Sequence, residues 1–240
     1  MIDEWKKGAK YWDHAWNPVI GCRKVSEGCA NCYAARTMER FGQSFEPHLS
    51  KRQTPPKSGV VFVGNMTDLF GEWNEDAEIV EWFNMLSPAA INLILTKRVI
   101  SMGFATDCLE NYRPWQHLWL GMTAENQVRY DERIGLFRCL RNDCHHWLSA
   151  EPLLYPIDMQ LQYIAPEDMP FDWVVVGAES GPNRRPCKLE WIENIVDQCR
   201  WAGVPVFVKQ LEIAGKLVKD INKFPPELQI RQVPWKRVEK

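Results

Sequence analysis

Three cysteines stand within eleven residues: Cys22, Cys29 and Cys32, in a segment that reads WNPVIGCRKVSEGCANCYAA from Trp16 to Ala35. The pattern is C-x6-C-x2-C. Thiolates are soft ligands, and three this close in a reducing compartment point to metal. The C-x2-C pair is suited to gripping one atom or one cluster edge. Gly21 and Gly28 let the loop fold back tightly around what is held. A structural zinc takes four ligands, and the nearest histidines are His14, before the cluster, and His48, sixteen residues after it. Three ligands suit an open site better, such as a cubane cluster that keeps one iron free. A zinc held by the three cysteines and one histidine, and three plain core cysteines, are the other readings of the same residues. The remaining cysteines, Cys108, Cys139, Cys144, Cys187 and Cys199, are scattered and read as small hydrophobes.

The elements that must position this loop follow a regular rhythm. Apolar, β-branched or aromatic runs occupy residues 60–63, 91–95, 118–120, 146–148, 173–176 and 204–208, their starts 27 to 31 residues apart. Residues 15–20 read as an earlier strand, before the cysteines. Continuous apolar runs suit strands buried on both faces, as in a parallel sheet. Helical periodicity fills residues 76–86, 126–140 and 189–202, and Gly203 is a good helix stop. The expected fold is α/β: a complete or partial (β/α) TIM-type barrel of about six or seven parallel strands. An open doubly wound sheet is the runner-up. The barrel is expected over residues 1–212, with residues 213–240 as a C-terminal extension.

Each apolar run stops at polar residues. Asn65, Thr67 and Asp68 follow the first, then Lys97 and Arg98, Thr123 and Glu125, Ser149 and Glu151, Glu179 and Ser180, and finally Lys209 and Gln210. Parallel strands point one way, so these ends should share one rim, where active sites of such folds lie.

The 240 residues carry a net charge of −2, so no charge excess demands a polyanionic partner, and tight non-specific duplex binding is disfavoured. No apolar run approaches the roughly 20 residues of a membrane span. The first ten residues hold no apolar signal region, which leads to the expectation of a cytoplasmic protein without a membrane partner. Twelve tryptophans offer core volume and stacking surface.

A three-cysteine loop between a first strand and a helix resembles the radical S-adenosylmethionine (SAM) superfamily, whose usual spacing is C-x3-C-x2-C. Residues 16–210 also contain, in order, WNPVIGCRKVSEGCANCYA, VFVGNMTDLF, LTKR, WLGMTAEN, SAEPLL, VVVGAESGPNRRP and QCRWAGVPVFVKQ. These blocks are similar to an uncharacterised family of phage and bacterial proteins described as radical-SAM-like. The resemblance implies a 4Fe–4S cluster on Cys22, Cys29 and Cys32, with SAM as second cofactor and a one-electron reductant as partner. It implies cleavage of SAM to a 5′-deoxyadenosyl radical that takes hydrogen from a substrate. By the same analogy Asn65, Thr67 and Asp68 meet the SAM amino group, and Thr123 and Glu125 meet its ribose or carboxylate. Lys97, Glu151, Glu179 and Lys209 are then the groups for substrate binding or proton transfer. The substrate itself is unknown; a nucleotide or nucleic-acid base would use the tryptophans. The rival from another class is a non-catalytic three-cysteine module, zinc or iron–sulfur, that binds nucleic acid or a protein partner.

Overall fold

The computed structural model describes residues 3–4, 8–51, 54–109, 115–140 and 143–235. Residues 236–240 of the expected extension lie outside them. The chain divides into two compact units, one made of Trp12–Met122 with Arg133–His145, the other of Met1–Tyr11, Thr123–Glu132 and His146–Lys240.

In the first of these, β1 (His14–Trp16), β2 (Gly59–Val63), β3 (Ala90–Thr96) and β4 (Leu118–Thr123) lie side by side in chain order, each parallel to the next. Trp16 pairs with Val63, Val63 with Ile94, and Ile94 with Leu120. Every position of β4 is buried, the signature of a strand covered on both faces. α1 (Tyr33–Arg40) follows the cysteines and buries Ala34 and Met38, one turn apart. α2 (Asp76–Met85) starts at a capping box in which the Glu75 N–H donates to Glu78, and it buries Ile79, Trp82 and Phe83 on one face. α3 (Val99–Asp107) has no counterpart in the sequence reading. Its buried Val99, Met102, Ala105 and Thr106 are interleaved with exposed Ile100 and Phe104, so no clean apolar stripe announces it.

α4 (Gln127–Phe137) follows β4. In the other unit, β5 (His145–Ala150), β6 (Trp173–Gly177) and β7 (Val206–Ile213) are parallel neighbours. β8 (Lys216–Val218) folds back antiparallel on β7 through Ala214 and Gly215, both at positive φ. α5 (Leu189–Ala202) buries Ile192, Ile195, Val196 and Cys199 at helical spacing and ends at left-handed Gly203. Trp147, Trp173, Phe207 and Tyr11 form the aromatic core of this unit, with Tyr11 edge-on to Trp173 at 5.2 Å.

The fold is therefore α/β with mostly parallel strands, as expected, although the largest sheet among the described residues counts eight strands, β1 to β8, and β8 is antiparallel. Two local expectations change. Residues 15–20 are not one strand: after β1 the chain bends at Pro18, and Val19–Ile20 pairs antiparallel with His48–Leu49. The sixth predicted run does not end before Lys209, because β7 continues through Lys209 and Gln210 to Ile213. No helix among the described residues is long and apolar enough to cross a membrane.

Candidate functional site

The cysteine loop leaves β1 and is fastened to the turn after β2. The Asn17 amide donates to Asn65 Oδ1 at 2.8 Å and accepts the Met66 N–H at 2.8 Å. The Gly21 N–H donates to the Met66 carbonyl, and the Gly21 carbonyl accepts the Thr67 hydroxyl at 2.6 Å. Tyr33, first residue of α1, donates its hydroxyl to the Asn65 carbonyl. Gly21 has φ +104°, and a Cβ there would sit 2.5 Å from the Glu46 carbonyl carbon. Only glycine lets the loop enter this close.

All three loop cysteines are free and half-buried. Cys29 ends a short 3-10 turn, with its sulfur 3.8 Å from Ser26 Oγ. Cys32 immediately precedes α1. The Cys22 thiol donates to the Arg23 carbonyl at 3.5 Å. Burial pushes the Cys22 thiol up to about 11; the Asp68 carboxylate adds to this, and the positive charge of Arg98 opposes it.

Asp68 and Arg98 form the support under this loop. Asp68 Oδ1 accepts the Thr96 hydroxyl at 2.6 Å and the Phe70 N–H at 3.2 Å. Asp68 Oδ2 accepts the Lys97 N–H at 3.1 Å and Arg98 Nη1 at 3.2 Å. Arg98 Nε reaches Glu72 at 3.2 Å, Nη2 reaches the Arg23 carbonyl at 3.2 Å, and the guanidinium lies 4.7 Å from the centre of the Trp73 ring. Burial works against the Arg98 charge, yet Asp68, Cys22 and Glu72 together hold it above its ordinary value. Of the two adjacent cations after β3, the sequence reading favours Lys97, whereas the structure ties Arg98 to the cysteine loop through the Arg23 carbonyl. The signal that separates them is chemical: a planar fork with five N–H donors can serve several acceptors at once.

Asp68 and Lys97 follow β2 and β3, parallel to β1, so they share the end of that unit from which the cysteine loop springs. Asn65, Thr67 and Asp68 touch the loop or its support directly. In the other unit, Glu151 and Glu179 follow β5 and β6. Lys209 Nζ donates to both Glu151 oxygens, at 2.7 and 2.8 Å, and Gln210 Nε2 donates to Oε1 at 3.1 Å. Neighbouring strand residues ordinarily point to opposite faces. Here the register of β7 against β6 shifts between Val208 and Gln210, and the resulting bulge lets Lys209 and Gln210 reach one carboxylate. Glu179 is almost fully buried and accepts the Arg185 N–H at 2.8 Å, Nε at 3.0 Å and Nη2. Thr123 and Glu125 are fully buried, and the Glu125 carbonyl accepts the Leu154 N–H.

Three free thiols on one short loop are, in type and number, the donor set that a thiolate-held metal takes. The described residues do not gather three or more His, Cys, Asp or Glu side chains into a ligand set. His48, sixteen residues beyond the cysteines in sequence, is brought alongside by its pairing with Ile20.

The chain belongs to the family described as Protein of unknown function (DUF5131), whose model matches residues 6–224. No curated protein and no solved structure matches it.

Proposed function

We propose that this chain is a radical-SAM-like enzyme built on a partial (β/α) barrel, with Cys22, Cys29 and Cys32 holding a 4Fe–4S cluster. The observation that carries the reading is the placement of three free thiols on the loop after the first parallel strand, bonded to the turn 65–68 at the end of the next. When bound, the cluster and SAM would supply one-electron chemistry and a carbon radical for hydrogen abstraction. The chain's own work is to hold and position. Asn17, Tyr33 and Thr67 fix the loop on the turn, and Arg98 offsets negative charge at Cys22. Asn65, Thr67, Asp68, Thr123 and Glu125 are the candidate SAM contacts. Lys97, Glu151, Glu179 and Lys209 are the candidate substrate and proton-transfer groups. A nucleotide or nucleic-acid base is the substrate class we favour, with a one-electron reductant as partner in a reducing, cytoplasmic setting.

The test is anaerobic reconstitution with iron and sulfide, then dithionite and SAM, with assay for 5′-deoxyadenosine. A brown, paramagnetic reduced protein that forms 5′-deoxyadenosine supports the reading. A protein that takes up the cluster but neither binds nor cleaves SAM overturns it.

One observation favours a second reading, a closed metal module of three cysteines and one histidine. His48 Nδ1 lies 2.8 Å from the Glu46 carbonyl, which can only accept, so Nδ1 carries the proton. In the neutral ring Nε2 is then left as acceptor, the tautomer a metal ligand needs. A colourless protein holding one zinc, released by His48→Ala, is the result that would favour this module.

A further inference from the structure

We infer that Arg231 is the positioning residue of the Glu151–Lys209 pair: it holds the bulge of β7 in the shape that brings Lys209 and Gln210 onto one carboxylate. In its functional meaning the inference rests on the roles proposed above for Glu151 and Lys209.

Arg231 is 2 % exposed. A cation buried this far ordinarily pairs with a carboxylate. Among the described residues, each hydrogen bond that Arg231 makes through its side chain goes instead to a backbone carbonyl: Nε to Val208 at 3.3 Å, Nη2 to Lys209 at 3.2 Å and to Lys219 at 2.7 Å. The rings of Phe207 and Phe224 have their centres 5.6 Å from the guanidinium carbon.

Two of those carbonyls lie where the register of β7 against β6 slips. Val208 pairs with Val176, and Gln210, not Lys209, pairs with Gly177. Lys209 is thus the extra residue, and a bulge leaves such a residue out of the ladder. A buried carbonyl without a donor costs as much as a lost hydrogen bond. Arg231 donates to the carbonyls of both peptide units that meet at the Lys209 Cα. With the bulge so held, Lys209 Nζ reaches both Glu151 oxygens, while Gln210 Nε2 reaches Glu151 and the Ala178 carbonyl. In a regular strand the two side chains would take opposite faces, and only one could stay on Glu151.

The segment that carries Arg231 has anchors of its own. The Val208 N–H donates to the Ile230 carbonyl at 2.9 Å, the Val206 N–H to Gln232 Oε1 at 3.1 Å, and Trp173 Nε1 to the Gln232 carbonyl at 2.9 Å. Removing the guanidinium therefore leaves the segment docked on β6 and β7, and its effect falls on the bulge.

The experiment is trace acetylation of the folded full chain with N-hydroxysuccinimidyl acetate, the rate at Lys209 read by peptide mapping against exposed Lys57 of the other unit. An ammonium bonded to two carboxylate oxygens is withheld from the reagent; one released to solvent is not. Arg231→Gln is expected to raise the Lys209 rate about tenfold, the scale of one lost hydrogen bond to a charged group. Arg231→Lys, whose single nitrogen cannot span three carbonyls, is expected to fall between Arg231→Gln and the parent. Glu151→Gln removes the anchor itself and is expected to accelerate Lys209 at least as much. Leu228→Ala, at a buried position of the same segment, is expected to lower the melting temperature with Lys209 at the parent rate. A parent-like Lys209 rate in Arg231→Gln overturns the inference. Equal acceleration in Leu228→Ala and Arg231→Gln, at equal loss of melting temperature, overturns it in favour of a merely structural role. A parent rate in Glu151→Gln overturns it as well, because Lys209 is then not held by Glu151 in solution. If Arg231→Gln does not fold, Arg231→Lys decides: faster acetylation at a parent-like melting temperature supports the inference, and the parent rate overturns it. The readout is the Lys209 ammonium and not turnover, so a reconstituted parent that neither binds nor cleaves SAM overturns the proposed function and leaves the labelling result standing.

Discussion

Removing the Asp68 carboxylate is the sharpest test of how the cysteine loop is held. Asp68 is 6 % exposed and accepts four hydrogen bonds, from Thr96, Phe70, Lys97 and Arg98. Asp68→Ala leaves two backbone N–H groups without their acceptor and a guanidinium, itself 10 % exposed, without its most buried counter-charge. Deleting one partner of a buried pair costs about 3–5 kcal/mol. The bonds share one carboxylate, so their losses are not summed, and Arg98 keeps Glu72 and Arg23; we take about 4 kcal/mol. For a chain of this size each kcal/mol moves the melting temperature about 2–4 °C, so a fall of about 10 °C is expected. Asp68→Asn should cost less. Its Oδ1 still accepts from Thr96 and Phe70, but its new N–H2 faces the Lys97 N–H and Arg98 Nη1, donors against donors. Calorimetry on parent and variants measures both values, and the labelling rate of Cys22 reports whether the loop has loosened. A melting temperature for Asp68→Ala within about 3 °C of the parent, with unchanged Cys22 labelling, would refute the reasoning.

Alanine at Cys22, Cys29 or Cys32 should remove most of the iron taken up on reconstitution, whereas Cys199→Ala, inside the packed face of α5, should leave iron content nearly unchanged; iron analysis of the purified variants decides. Burial, chiefly, pushes the Cys22 thiol up to about 11 from an ordinary 9.0. Its folded value is the higher one, so the associated stability is complete below about pH 9 and is lost as the pH rises through 11. Peptide mapping after iodoacetamide treatment at about pH 8 should accordingly find exposed Cys108 and Cys139 labelled well before Cys22. Gly21→Ala forces a side chain into φ +104° and against Glu46; the backbone strain alone is about 1–2 kcal/mol, and limited proteolysis should cut faster within residues 20–32. Lys209→Met or Glu151→Leu alone should each cost about 2 kcal/mol, discounted for their residual exposure of 20 % and 14 %, while the double variant should cost clearly less than the sum. Urea melts of all four proteins in that cycle measure the coupling, and strict additivity would show that the pair contributes nothing of its own.

Much of this architecture was legible in the chain because it depends on local periodicity. The apolar runs at 60–63, 91–95, 118–120, 146–148 and 173–176 lie on β2, β3, β4, β5 and β6, since a strand buried on both faces must be continuously apolar. The amphipathic spacing of Ile192, Ile195, Val196 and Cys199 marked α5, and Gly203 marked its end. The three cysteines declared themselves by type and spacing alone. What only the tertiary structure decided are the partnerships between distant residues. Lys97 and Arg98 are adjacent cations in the sequence; the pairing of β2 with β3 puts Asp68, Glu72 and, 75 residues back, Arg23 within reach of the second. His48 comes beside the cysteine loop because Val19–Ile20 pairs with His48–Leu49, two-residue strands too short to announce themselves. Lys209 and Gln210 share Glu151 because a bulge breaks the alternation of β7, and nothing in VFVKQ signals an extra residue. Periodicity records which face of an element is buried. Which polar groups meet across elements depends on register and on the reach of each side chain, and those exist only once the strands are side by side.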